Sequence, residues 1–182
     1  SIKVARQRIE YHKFDNVEFH VMSLEDLPSL GLKFDYINND EVLYLLPDPL
    51  AGLNLMKSVL KPDGIIRTNL HSAFRRAPMF RAQKFCQKIG LMDENPGDLE
   101  IEILVETMNA LKPFVNLKKM AWSENCRQNP RVTLMNHLLQ GDKGYTIPEM
   151  FSLLESANLE FICMLNQRQW NLMDLFQTPD DL

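Results

Sequence analysis

Three side chains in this sequence are of a type that can handle a proton: the carboxylate of Asp40, the phenol of Tyr44 and the imidazole of His71. Asp40 closes the run Asn38-Asn39-Asp40, directly after the short segment Asp35-Tyr36-Ile37. His71 directly follows Ile65-Ile66-Arg67-Thr68-Asn69-Leu70. Both segments read as strands of an α/β sheet, and ligands of an open sheet of that kind lie outside the carboxyl ends of its strands. At such a place Asn38 and Asn39 offer hydrogen-bonding amides and Asp40 a carboxylate. Each residue also has a plainer reading: a strand-end cap for Asn38 and Asp40, a packing ring for Tyr44, a hydrogen-bonded structural imidazole for His71.

Other chemistry finds little support. Cys86, Cys126 and Cys163 lie far apart without CxxC spacing, and His12, His20, His71 and His137 show no ligand spacing, so no metal is expected. The thiols read as reduced cysteines of a cytoplasmic protein. No Ser-His-Asp or reactive-cysteine pattern is present. Arg75, Arg76, Arg81, Lys84 and Lys88 recur at helical spacing and read as a solvated face, with acidic residues following from Asp93 to Glu106.

The elements that must position the candidates follow from periodicity. Residues 1–12 read as an amphipathic helix, and Val17, Phe19 and Val21 alternate with polar residues as a strand over 17–22. Leu50 to Leu60 has a helical apolar pattern that Pro62-Asp63-Gly64 stops, before the strand at 65–70. Strand, helix, strand at this spacing is a right-handed crossover unit. From about 72 to 130 the pattern is helical, with Asp98 as the expected cap of a helix carrying Ile101, Leu104, Val105, Met108 and Leu111 on one stripe. That block reads as an insertion packed on the sheet domain and too short for a strong core of its own. Arg131 to Leu139 reads as a strand and 140–144 as a turn. Thr146 with Glu149 is a capping box for a helix, and 159–165 is a final strand.

A chain of 182 residues with 45% hydrophobic and 24% charged residues suits one globular domain. A net charge of −4 gives no basic field for nucleic acid, and no apolar run reaches the roughly 18 residues of a membrane span.

Phe34 to Gly64, FDYINNDEVLYLLPDPLAGLNLMKSVLKPDG, resembles the middle of a class I S-adenosylmethionine-dependent methyltransferase. Val42 to Pro49 is similar to the family's VLxHLxDP segment, with Tyr44 in the slot often held by histidine, and Lys61-Pro62-Asp63-Gly64 to its LKPGG turn. Ser1-Ile2-Lys3-Val4-Ala5-Arg6 resembles the helix after the second strand, so the family's glycine-rich loop and ribose-binding acid fall ahead of Ser1. The likeness covers roughly 1–70 and 144–165. It implies a Rossmann-like α/β sheet, N-terminally truncated, with a helical insertion at about 72–130 and a C-terminal hairpin. The chain divides into a partial cofactor-binding half (1–71), a substrate-side cap (72–130) and a sheet closure (131–182).

The resemblance further implies S-adenosylmethionine as cofactor. Ser23, where the family usually has aspartate, with Leu24 and Glu25 would meet the adenine, and Asn38 and Asn39 the methionine end. Methyl transfer to a small-molecule acceptor relies on positioning and desolvation more than on a covalent residue. Residues 1–182 alone are expected to show no measurable cofactor binding, and the unpaired strand edges to allow a homodimer. The alternatives are a non-catalytic methyltransferase-like interaction module and a different doubly wound enzyme such as a dehydrogenase.

Overall fold

The computed structural model describes residues 2–93, 95–166 and 170. Helix α1 (Ile2–His12) buries none of its residues, and its Arg6 guanidinium lies 4.8 Å over the Phe19 ring. Residues 17–22 form no strand, contrary to their alternation, and Val21 is 88% exposed. Alternation marks a strand only when a neighbour supplies backbone partners, and no strand among the described residues lies beside this segment.

Strands β1 (Phe34–Asn39) and β2 (Leu60–Thr68) pair in parallel. The register runs Phe34 to Leu60 and then Tyr36 to Ile65, so Lys61 to Gly64 bulge out opposite Asp35. The expected helix-stopping turn is therefore this bulge, and helix α2 (Pro49–Ser58) ends before it. The Lys61 ammonium donates to both Asp35 oxygens at 2.9 Å and fastens the bulge to β1. Asp48 caps α2 by accepting from the amide of Ala51 at 3.0 Å, with Pro49 in its first turn. Leu43, Leu53, Met56 and Ala157 form the buried centre of this half, with Ile37 and Ile66 of the sheet packed against them.

The helical block comprises α3 (Ala73–Lys88), α4 (Asp98–Ala110), α5 (Asn116–Ala121), α6 (Glu124–Gln128) and α7 (Pro130–His137). It reaches further than expected, because 130–137 is a helix and not a strand. Asn129 accepts from the amides of Arg131 and Val132, and Pro130 occupies the first turn; these start signals outweigh the β-branched Val132 and Thr133. Gly97, not Asp98, is the cap of α4, where the Glu100 carboxylate accepts from the Gly97 amide at 2.7 Å. The block also has a buried cluster of its own. Cys86, Leu91, Met92, Ile101, Leu104, Met108, Trp122, Cys126 and Leu138 pack together, more residues than the sheet half buries at its centre.

The block leaves and rejoins the sheet half at one place. Strand β3 (His71–Ser72) pairs in parallel with β4 (Gly144–Tyr145). Helix α8 (Ile147–Ser156) then starts at the expected capping box, with Thr146 and Glu149 bonded to each other's backbone amides at 3.4 and 2.7 Å. Lys57 of α2 donates to the carbonyls of Ala157 and Asn158 at 2.9 and 2.8 Å, and so caps α8. Residues 159–165 form no strand, so the C-terminal hairpin is not seen among the described residues.

Gly144 permits the close approach of β4 to α3. A Cβ there would stand 2.6 Å from the Ala73 Cα and 2.7 Å from the Phe80 ring. Gly144→Ala is expected to cost about 1–3 kcal/mol, read as a lower midpoint in urea denaturation.

Candidate functional site

The carboxyl ends of β1 and β2 and the β3–β4 bridge converge on one polar cluster. β1 delivers Asn38, Asn39 and, just beyond it, Asp40 and Glu41. Arg67 on β2 is register partner to Asn38, donates to its side-chain oxygen at 2.6 Å and stands 3.4 Å from the Asp40 carboxylate. Asn39 is buried and accepts from the Thr68 hydroxyl at 3.4 Å. Asp40 is thus an exposed-side ion-pair partner of Arg67, and among the described residues its neighbour Glu41, not Asp40 itself, meets Tyr44 and His71.

Tyr44 and His71 do come together. Their rings stack with centroids 3.8 Å apart, and Tyr44 is 1% exposed. The Tyr44 hydroxyl donates to Glu41 Oε2 at 2.5 Å. Burial, and then the Glu41 carboxylate, push the phenol's pKa far up, so Tyr44 keeps its proton and serves as a donor. His71 Nδ1 lies 2.8 Å from Asp142 Oδ1, and its Nε2 lies 3.7 Å from Glu41 Oε2.

Asp142, in the turn before β4, has a fully buried side chain. Its Oδ2 accepts from Arg76 at 2.5 Å and from Gln83 at 3.0 Å, both on α3. Burial raises its pKa, but the hydrogen bonds from Arg76, His71 and Gln83 outweigh burial and hold the carboxyl below its ordinary value. Arg76 also donates to the Asn136 side chain at 2.6 Å, and Gln83 to the Asn136 carbonyl at 2.8 Å. Arg76 therefore turns inward, out of the basic face in which periodicity placed it. The turn itself is docked on the sheet half, where Lys143 donates to the carbonyls of Leu46 and Pro47 at 3.4 and 3.0 Å.

The adenine-side candidates stand apart from this cluster in the chain. Ser23 heads the 3-10 turn Leu24–Leu30, and its hydroxyl donates to the Asp26 carboxylate at 3.0 Å. Leu24 is partly buried against the Leu43 and Leu53 core, and Glu25 is exposed. Residue types did not single out Glu41, Asn69, Arg76 and Asp142. The Asp142 contact with His71 spans 71 positions, and the turn residues around it signalled only a change of direction.

Two expectations follow. Asp142→Ala leaves the Arg76 charge buried without its partner, and should cost about 3–5 kcal/mol in denaturant unfolding. Because the folded carboxyl titrates below the unfolded one, Asp142 stabilises the fold above the unfolded pKa of about 3.9. That contribution is lost as pH falls through the lower folded value. An acid-unfolding curve should therefore lose this component in Asp142→Ala.

Comparison with known proteins places the chain. The family model of a methyltransferase domain matches residues 1–150. The structure of PKMT2 from Rickettsia typhi shares the fold at a TM-score of 0.58 and 16% identity, over 93% of this chain and 37% of that one. The uncharacterized protein syc1184_c of Synechococcus sp. is 27% identical across 100% of this chain and 44% of its own length. The chain thus spans less than half the length of the relatives it matches. It belongs to the methyltransferase-domain family, with the class I α/β fold.

Proposed function

We propose that this chain takes part in S-adenosylmethionine-dependent methyl transfer to a small-molecule acceptor. The observation that carries the reading is the Tyr44–His71 stack in a chain whose residues 1–150 match a methyltransferase domain. It gathers proton-handling groups where an open α/β sheet keeps its ligands.

The groups at the expected cofactor positions suit the two ends of that molecule. The exposed hydroxyl of Ser23 and carboxylate of Glu25 match the adenine amine, and the Asn38 and Asn39 amides at the end of β1 match the amino-acid end. When bound, the cofactor supplies an activated methyl group. The protein's part is to orient the acceptor, keep water from the Tyr44–His71 wall and receive any proton the acceptor releases. A second reading, a non-catalytic module, draws on Ser23, whose hydroxyl is already engaged by Asp26.

Calorimetric titration of the full-length protein with S-adenosylhomocysteine separates the two. Saturable binding below about 1 mM is expected. Its absence at that concentration sinks the enzyme reading and leaves the interaction module.

A further inference from the structure

His71 presents its two ring nitrogens to two carboxylates, and the contacts are chemically unequal. At Nδ1, 2.8 Å from Asp142 Oδ1, the partner is a buried and ionised carboxylate whose other oxygen already accepts from Arg76 and Gln83. An ionised carboxylate has only lone pairs to offer, so the hydrogen in this contact is the imidazole's and Nδ1 carries it. In the neutral ring Nε2 is then left with a lone pair. It faces Glu41 Oε2, another acceptor, across 3.7 Å, too long for a direct hydrogen bond. Two acceptors so disposed are complementary to an O–H or N–H donor brought within reach of both.

Glu41 is held in that position against a backbone cost. Its φ is +59°, in the left-handed region that non-glycine residues seldom adopt. Lys13 and Asn158 share the feature, but each sits just past a helix end, where it is ordinary. Glu41 follows a strand and is fixed by tertiary bonds instead. Its amide donates to Asn69 Oδ1 at 2.7 Å, its Oε1 accepts from Asn69 Nδ2 at 2.5 Å, and its Oε2 accepts from Tyr44. A strained residue held by its surroundings at a ligand-binding strand end points to a use for its side chain.

We propose that His71 Nε2 is the proton acceptor for a hydroxyl or amine nucleophile, that Asp142 is the positioning residue that fixes the imidazole's tautomer, and that Glu41 stabilises the imidazolium formed. The proposal rests on the methyl-transfer reading and narrows its acceptor to an oxygen or nitrogen that bears a hydrogen. The acceptor's proton passes to Nε2, its electron pair forms the bond to the methyl carbon, and the pair of the broken sulfur–carbon bond stays on sulfur. The charges facing His71 favour this change. Asp142 from the β4 turn and Glu41 after β1 bring two negative charges, and Arg76 of α3 brings one positive. Tyr44 keeps its proton, so a proton on His71 makes the group neutral. The stacked Tyr44 ring covers one imidazole face and leaves the ring little freedom to turn.

Nitrogen-resolved NMR of the imidazoles in the full-length protein tests this without any acceptor. Neutral His71 should carry its proton on Nδ1. In Asp142→Asn the new amide keeps its oxygen on Arg76 and turns its NH2 group toward Nδ1, so the neutral ring should hold its proton on Nε2. In Glu41→Gln the neutral ring should keep its proton on Nδ1, since Asp142 and not Glu41 fixes the tautomer. A wild-type proton on Nε2, or an unmoved tautomer in Asp142→Asn, overturns the proposal. If Asp142→Asn does not fold, the wild-type and Glu41→Gln tautomers decide, and a proton on Nε2 in either overturns it. S-adenosylhomocysteine binding is measured on the same samples. Lost tautomer control with binding intact sinks the proton relay alone, whereas absent binding sinks the methyl-transfer reading on which it rests.

Discussion

The ionised carboxylate of Asp142, buried between the helical block and the sheet half, is the constraint on which the rest of the arrangement depends. Removing such a charge from water is costly, and the cost is offset only if each lone pair finds a well-placed donor. Here the donors come from separate places in the chain: Arg76 and Gln83 on α3, and His71 on β3. Apolar packing alone would let α3 slide or rotate by small amounts at little expense, whereas a buried ion accepts few alternatives. The carboxylate therefore sets how the helical block sits against His71, and with it the geometry of the site.

That role explains why two apolar clusters can coexist in a short chain. Leu43, Leu53 and Met56 serve the sheet half, and Leu104, Met108 and Trp122 the helical block. Between them lies a polar seam: Glu41 accepts from Tyr44, the Tyr44 ring stacks on His71, and Asp142 joins His71 to Arg76, which reaches Asn136. His137 shows the contrast inside the block. It is fully buried, burial lowers its pKa, and its Nε2 donates to the Ala121 carbonyl at 2.7 Å, an uncharged partner.

What the sequence disclosed follows from how far each signal reaches. The Thr146 capping box and the helical character of the middle block rest on contacts a few residues apart, and the β1–α2–β2 unit on the order and spacing of its elements, so they were legible. The strand at 17–22 was misread because alternation says nothing about whether a neighbour exists, and the helix at 130–137 because Val132 and Thr133 outweighed Asn129-Pro130 in the reading. His71 was singled out because it follows a strand, and Tyr44 because it fills a slot of the family's segment; the structure stacks their rings. Glu41 and Asp142 were not singled out, since one owes its place to a backbone conformation and the other to a partner far along the chain.

The two-residue bridge between His71–Ser72 and Gly144–Tyr145 sets where the chain enters and leaves the helical block. The helical segment departs from one strand and returns on its immediate neighbour, so its anchors stay fixed whatever is strung between them. A segment tethered in this way can be lengthened, trimmed or exchanged at modest entropic cost, since closure depends only weakly on length. His71 and Asp142 remain with the frame, while Arg76 and Gln83 travel with the exchanged part. A replaced cassette fits the frame only if it brings a guanidinium to the buried carboxylate, as Arg76 does.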